Sequence, residues 1–354
     1  TLSTILIFGS FVSVPMIFLW NYVGEHIFLW FHAPQSVQVP GEAYISTLAF
    51  VAPLILFNSV FEAALSAYGN VKTALKIKIT VALLNGVLDY LFIFGHGGFE
   101  AMGVRGAAIA TVIAEVFSFA VFSSIWIMGK TVYQPMLRFS RRLLVRVLRI
   151  GLPAMMEQVL SSASYLLFTA MVLVLGTEIY AGFQIGFRIE GMAFMPGIAF
   201  AIVASILMGQ GLGEKNPDKS HEDVMTALQY ALIFMFTVSL TFMIIPETLA
   251  RIFTDDPEVI HHAVLYLKIV GISQVPLGMH FVLSKALKGA GATRETFIIN
   301  IASMWLVRII PSVIAVYVFH SVTGVYLAMI ADTFVKAVLF WRLFSTGKWR
   351  VIKV

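Results

Sequence analysis

The sequence predicts an all-α membrane protein, a polytopic helical bundle of about ten crossings arranged as two pseudo-symmetric lobes. Three observations carry that prediction. The 354-residue chain is 59% hydrophobic, with a mean hydropathy of +0.89. Only 12% of its residues are charged, against about 25% in a soluble domain. Its apolar residues lie in long unalternated runs, which match helices of roughly 20 residues and not barrel strands.

The spans follow one another with short polar breaks. They cover roughly 2–23, 43–68, 77–95, 106–128, 150–174, 179–210, 224–245, 263–287, 297–319 and 324–344. Gly69-Asn70 ends the second and Gly95-His96-Gly97-Gly98 the third. The basic stretch GKTVYQPMLRFSRRLLVRVLR, residues 129–149, follows the fourth. Gly213-Glu214-Lys215-Asn216-Pro217 closes the sixth, and Asp255-Asp256-Pro257 precedes the eighth. The expected domains are an N-terminal lobe at 1–130, an amphipathic linker at 131–149 lying along the headgroups, and a C-terminal lobe at 150–354.

The chain has no cysteine, which excludes disulfides, iron–sulfur clusters and thiolate zinc sites. His261-His262 have no nearby acid at metal-binding spacing, so no metal site is predicted. The net charge is +5 and the pI about 9.3. With residue 1 at the cytoplasmic face, Lys72, Lys76, Arg141, Arg142, Lys288 and Arg294 all fall inside, whereas Arg105 and Arg251 fall outside. That is the positive-inside bias, and it accounts for the basic balance without nucleic acid.

One phrase recurs. ALSAYGNVK at 64–72 and ALKGAGATR at 286–294 stand 222 residues apart, each in a break between apolar runs. Further matches at nearly the same offset, including Tyr44 with Tyr266 and Gly106 with Gly324, point to a duplication. An even number of crossings separates the copies, so the repeat is parallel, with its axis along the membrane normal. The spans at 150–174 and 179–210 then have partners before residue 1, and a parent of about twelve spans, six per half, is expected. Within the phrase, small residues permit close helix approach and the glycine permits a left-handed cap.

The stretches ALSAYGNVKTALKIKITVALLNGVLDYLFIFG, GVRGAAIATVIAEV, GMAFMPGIAFAIVASILMGQGLGEKN and ALKGAGATRET, with a Gly-Lys-Trp ending, resemble the multidrug and toxic compound extrusion (MATE) family across essentially the whole chain. The resemblance implies twelve helices in two six-helix lobes around a central cavity that opens alternately to either side. It implies export of organic, often cationic, compounds in exchange for protons or sodium ions. By this likeness the chain begins at the third helix of the fold.

Ionisable groups in hydrocarbon cost roughly 2.5–3.5 kcal/mol each on insertion scales, so each needs a partner or a task. Glu157 follows Pro153, which frees a backbone carbonyl suited to a cation site; bonding to Ser161 one turn on is the structural alternative. Sodium-coupled family members carry an acid at the place that Glu157 matches. They also use one in the tenth helix, where this chain has Gln274-Val275-Pro276-Leu277-Gly278 and no carboxylate. Glu190 lies two residues from Arg188, on a different face, with Met192, Met195 and Pro196 following as an adaptable surface. Asp332 has Lys336 at i+4, and Arg308 on the neighbouring span is a competing partner. Asp89 and Glu115 resemble acids found in many family members, and Glu62 is expected to snorkel. His280 is expected to be a hydrogen-bonded core residue.

These readings combine into a non-enzymatic antiporter of organic solutes working by alternating access. Its coupling and cavity residues are expected among Glu157, Glu190, Asp332, Arg308, Asp89 and Glu115. A proton or Na⁺ is the coupling ion, and no cofactor is required. The partners are small organic substrates and the lipid bilayer, with the chain acting as a monomer in a bacterial or archaeal inner membrane. The alternatives are a flippase for lipids or lipid-linked sugars, a passive channel and a membrane-embedded transferase. No GxxxxGK[ST] phosphate loop supports ATP drive.

Overall fold

The computed structural model describes residues 2–30, 34–128 and 139–351. Among these every regular element is helical. They are α1 (Leu2–Trp30), α2 (Gln35–Ala49), α3 (Ala52–Ala67), α4 (Val71–Phe94), α5 (Val104–Ile127), α6 (Arg141–Val174) and α7 (Thr177–Gly213). The chain continues with α8 (Pro217–Ile244), the short α9 (Pro246–Arg251), α10 (Pro257–Gly271), α11 (Gln274–Gly289), α12 (Thr293–Ser303), α13 (Ile310–Tyr317) and α14 (Val322–Ser345). Among the described residues eight spans are long and apolar enough to cross a bilayer, with α12 to α13 making one of them. Two bent pairs, α2 with α3 and α10 with α11, bring the number to ten. The protein is therefore an all-α, multi-pass cell-membrane protein. In hydrocarbon a helix satisfies its own backbone groups, which is why so apolar a chain adopts little else.

The chain divides into two compact units, Thr1–Val147 and Leu148–Val354. Of the expected linker, 131–138 lie outside the described residues, while Arg141 to Arg149 form the first turns of α6. The polar breaks act as caps. Asn70 Oδ1 accepts from Thr73 N, Asn216 Oδ1 from Lys219 N, and Asp256 Oδ1 from Glu258 N. Each satisfies a first-turn donor that the helix itself cannot.

The repeated phrase has the same backbone geometry twice. Gly69 and Gly291 take φ of +78° and +85°. Asn70 N donates to Leu65 O at 3.0 Å, and Ala292 N donates to Leu287 O at 2.9 Å. These are matching six-residue helix closures around a left-handed glycine. The bends recur as well, 52° between α2 and α3 and 58° between α10 and α11. The first falls at Phe50-Val51 and the second at Ile272-Ser273, again 222 positions on. Sequence reading treated each pair as one uninterrupted span. The bends follow from Pro53 and Pro276 just past each break, since proline cannot donate back into the preceding turn.

Two large apolar clusters pack the second unit. One gathers Phe168, Phe183, Tyr266, Val316 and Tyr326, and the other Met208, Leu228, Leu283, Phe340 and Trp349. The close approach of α11 to α7 depends on Gly289. A Cβ there would collide with the Ser205 carbonyl oxygen, whereas a Cβ at Gly86 on α4 would meet nothing within 4 Å. Gly289→Ala should therefore lose about 1–3 kcal/mol of stability through overpacking, and Gly86→Ala should lose none. Thermal unfolding of the two variants in detergent checks this, and equal melting temperatures would show that α7 and α11 do not meet this tightly.

Candidate functional site

Between the two apolar clusters of the second unit lies a polar layer. Along α14, Tyr326 and Met329 belong to one cluster and Phe340 and Phe344 to the other, with Asp332, Thr333 and Lys336 between them. Along α7, Glu190 follows Ile189 of the first cluster and precedes Ala201 of the second. Gln274 begins α11 between Val270 and Val282 of the two clusters. Charged side chains at this depth must compensate one another, because no water competes for them.

Asp332 is fully buried and is the most densely partnered acid. Its Oδ2 lies 2.9 Å from Lys336 Nζ and 2.9 Å from Arg308 Nη2, and its Oδ1 accepts from Ser303 Oγ at 2.6 Å. The two partners that sequence reading set in competition are both engaged. Lys336 arrives by helical spacing. Arg308 arrives by a backbone irregularity, because Met304–Ile309 form a π-helical turn between α12 and α13. Pro311 cannot bond to the Val307 carbonyl, so the ladder loosens where Arg308 must reach sideways.

Glu157 on α6 is held from two other helices. Its Oε1 accepts from Lys288 Nζ at 2.7 Å and from Asn300 Nδ2 at 2.8 Å. Asn300 Oδ1 in turn lies 3.1 Å from His280 Nε2, and the His280 ring stacks on Phe340. Ser161 is thus not the partner of Glu157. Lys288, read from sequence as one of the cytoplasmic-side positive charges, is. The other oxygen, Glu157 Oε2, is buried without a protein partner.

Glu190 is buried and accepts at both oxygens, from Tyr266 Oη and from Gln274 Nε2 at 2.9 Å. Gln274 occupies the stretch where sodium-coupled relatives were expected to place an acid, and here its amide serves Glu190. Sequence reading missed Tyr266, Gln274 and Asn300; a polar side chain facing a buried layer on a long apolar helix was the available signal.

In the first unit Glu115 on α5 accepts from Asn58 Nδ2 at 2.7 Å, and the same amide reaches the Glu115 carbonyl at 3.0 Å. Asp89 Oδ1 and, one turn earlier on α4, Asn85 Nδ2 are buried without partners. Glu62 pairs with Lys78 at 2.9 Å. Arg188, Glu190's neighbour in sequence, makes no described contact with it. An apolar cavity of about 510 Å3 lies between α7, α8 and α9, lined by Ile189, Met192, Phe234, Val238, Phe242 and Phe253 among others. Its size falls within the range of small-molecule sites.

The Asp332 cluster yields a stability prediction. Asp332→Asn leaves Lys336 and Arg308 facing each other without an anion and should cost about 3–5 kcal/mol. Adding Lys336→Met to Asp332→Asn should restore part of that loss. Denaturation of the single and double variants checks the coupling, and additive losses would show that the charges do not compensate one another.

The MatE family model matches residues 1–91 and 153–314. A relative from Thermotoga maritima, named probable multidrug resistance protein NorM, is 32% identical over 320 residues, which cover 89% of this chain and 68% of that protein. The FAD transporter of Shewanella oneidensis is 23% identical over 292 residues, covering 78% of this chain and 62% of the transporter. The chain thus spans about two thirds of the length of these relatives. In three dimensions it superposes on a MOP-superfamily transporter from Pyrococcus furiosus with a TM-score of 0.90 at 22% identity, covering 98% of this chain and 78% of that one. That likeness shows a shared fold. The match over both units, with the 32% identity to the Thermotoga protein, places this chain in the MatE family of membrane transporters.

Proposed function

We propose that the protein exports organic solutes by ion-coupled antiport, with a proton or Na⁺ taken up at carboxylates of the second lobe and the cargo released by alternating access. One observation carries this reading. Glu157 offers one oxygen to Lys288 and Asn300 and keeps the other buried and unpartnered. A carboxylate so held keeps one oxygen able to accept a proton or a further cation. A proton or Na⁺ arriving at Oε2 weakens the hold of Glu157 on Lys288, by neutralising the acid or by competing for its charge. Lys288 stands at the end of α11, whose other end is the 58° bend, so the ion's arrival bears on an element with a built-in hinge.

Glu190 is a second candidate for ion uptake, and Asp332 is its fixed companion. Both have their oxygens engaged, Glu190 by neutral donors and Asp332 by two cations. Glu190 is the better exchangeable site of the two, since a proton there displaces no ion pair. Asp332 with Arg308 and Lys336 supplies fixed charge around it. In the first lobe the buried, unpartnered Asp89 and Asn85 atoms are the corresponding candidate.

The cargo reading follows from the cavity beside α7. Its wall is apolar and aromatic, and Met192 and Met195 on the same helix are 63% and 67% exposed. Methionine surfaces repack around differently shaped apolar ligands. The named relatives differ in cargo, so the class is argued from this chain: apolar and amphipathic organic molecules that fit an aromatic and methionine-rich wall.

Full-length protein in proteoliposomes tests the proposal. Efflux of a fluorescent organic cation is driven in turn by a pH gradient and by a Na⁺ gradient. Glu157→Gln and Glu190→Gln should each reduce gradient-driven efflux at least tenfold while leaving the folded protein monodisperse. Undiminished efflux in both variants would remove these residues from the coupling mechanism.

A further inference from the structure

Polar side chains on the exposed face of a membrane span need water or a partner, because lipid tails offer no hydrogen bond. Gln158, Ser162, Tyr165 and Thr169 recur at i, i+4, i+7 and i+11 and so run as one stripe along α6. The first three are exposed, and the Thr169 hydroxyl is buried without a partner. Among the described contacts Gln158, Ser162 and the Tyr165 hydroxyl make no hydrogen bond. Met155, Val159 and Leu166 flank the stripe as an exposed apolar strip.

α7 adds a charge to this face. The Tyr165 ring packs on Phe187 with centroids 5.2 Å apart, which brings the next residue, Arg188, to the level of the stripe. Arg188 lies about a third of the way along α7, is exposed, and makes no ion pair or hydrogen bond among the described contacts. Glu190 does not answer it. Two residues are about 200° of helical turn, and both Glu190 oxygens are taken by Tyr266 and Gln274. Glu157, next to Gln158 in sequence, turns instead to Lys288 and Asn300. One turn after Arg188 comes Met192, which lines the apolar cavity of about 510 Å3 between α7, α8 and α9. A cation with free donors therefore stands at the near side of an apolar chamber, with hydroxyl and amide groups beside it.

We propose that this face takes the anionic group of an amphipathic organic solute, a carboxylate or a phosphate, at Arg188 and the α6 stripe, with the apolar body of the solute in the cavity beyond Met192. The inference rests on the reading of that cavity as a cargo site and gives the cargo its charge. A guanidinium with its donors unused engages an oxyanion through two parallel hydrogen bonds. Ser162, Tyr165 and Gln158 supply further donors along one side, and the cavity wall carries no charge that would compete.

The test reads accessibility and charge directly. The chain carries no cysteine, so a single Ser162→Cys thiol in full-length protein is measured against the wild type that lacks it. The protein is reconstituted in phosphatidylcholine vesicles and treated with an anionic or a cationic methanethiosulfonate reagent, each rate being divided by that of a free thiol. The anionic reagent should be favoured by about fivefold or more; Arg188→Gln should abolish the preference and Arg188→Lys should keep it. Naphthylacetate should protect the thiol, and its methyl ester should do so far less well. A thiol that neither reagent reaches shows a face covered by lipid or protein and overturns the proposal. So does a charge preference that is absent or that survives Arg188→Gln. Equal protection by acid and ester keeps the cavity as a cargo site and overturns the anionic class, whereas protection by neither removes the cargo reading as well. Protection by phosphatidylglycerol in place of the acid assigns the face to a lipid headgroup and overturns the solute.

Discussion

A carboxylate with no access to water must find its compensation within the protein, and much of the second lobe is organised around that constraint at Asp332. The acid is fully buried, and Lys336, Arg308 and Ser303 converge on it from α14, the π-helical turn and α12. Insertion of an unpaired charge at this depth costs several kcal/mol. The helical irregularity at Met304–Ile309 is the geometrical consequence: a regular helix interrupted by Pro311 would have to lose its ladder in any case, and the wider turn positions Arg308 where the charge is needed. The apolar clusters above and below then confine the polar layer, so that its members meet one another rather than lipid.

Matching backbone features in the two units fit the duplication expected from the sequence. The two copies share helix closures at Gly69 and Gly291 and bends at Phe50-Val51 and Ile272-Ser273. They do not share the charges. Where the second copy has His280 bonded to Asn300, the first has Asn58 bonded to Glu115. Backbone devices that shape a helix pair tolerate divergence, because many side chains fit them. Buried polar networks do not, since each member requires its own donor or acceptor. The lobes therefore have the same local architecture with different chemistry.

The carboxylates of the second unit also differ in how completely they are partnered. Asp332 sits in a closed arrangement of opposite charges, and Glu190 rests on neutral donors. Glu157 combines both, with a lysine on one oxygen and nothing on the other. A graded series of this kind, from fully paired to half-free, is what the proposed ion coupling would draw on: some charges to hold the field constant and others to change within it.

Features separated by a few residues were legible in the chain. The ten apolar runs, the caps at Asn70, Asn216 and Asp256, the left-handed glycines and the Asp332–Lys336 spacing all follow from helical periodicity and backbone conformation, which act over one to five residues. The bends were not read, although Pro53 and Pro276 signal them, because hydrophobicity alone carries through a kink. The partners of Glu157 and Glu190 were not legible at all. Lys288 and Asn300 lie 131 and 143 positions from Glu157, and Tyr266 and Gln274 lie 76 and 84 from Glu190. Composition and periodicity state which helices form and which of their residues are costly to bury. Which helices face each other, and hence which donor answers each acid, is set by side-chain packing between segments far apart in the chain, where no local spacing rule applies.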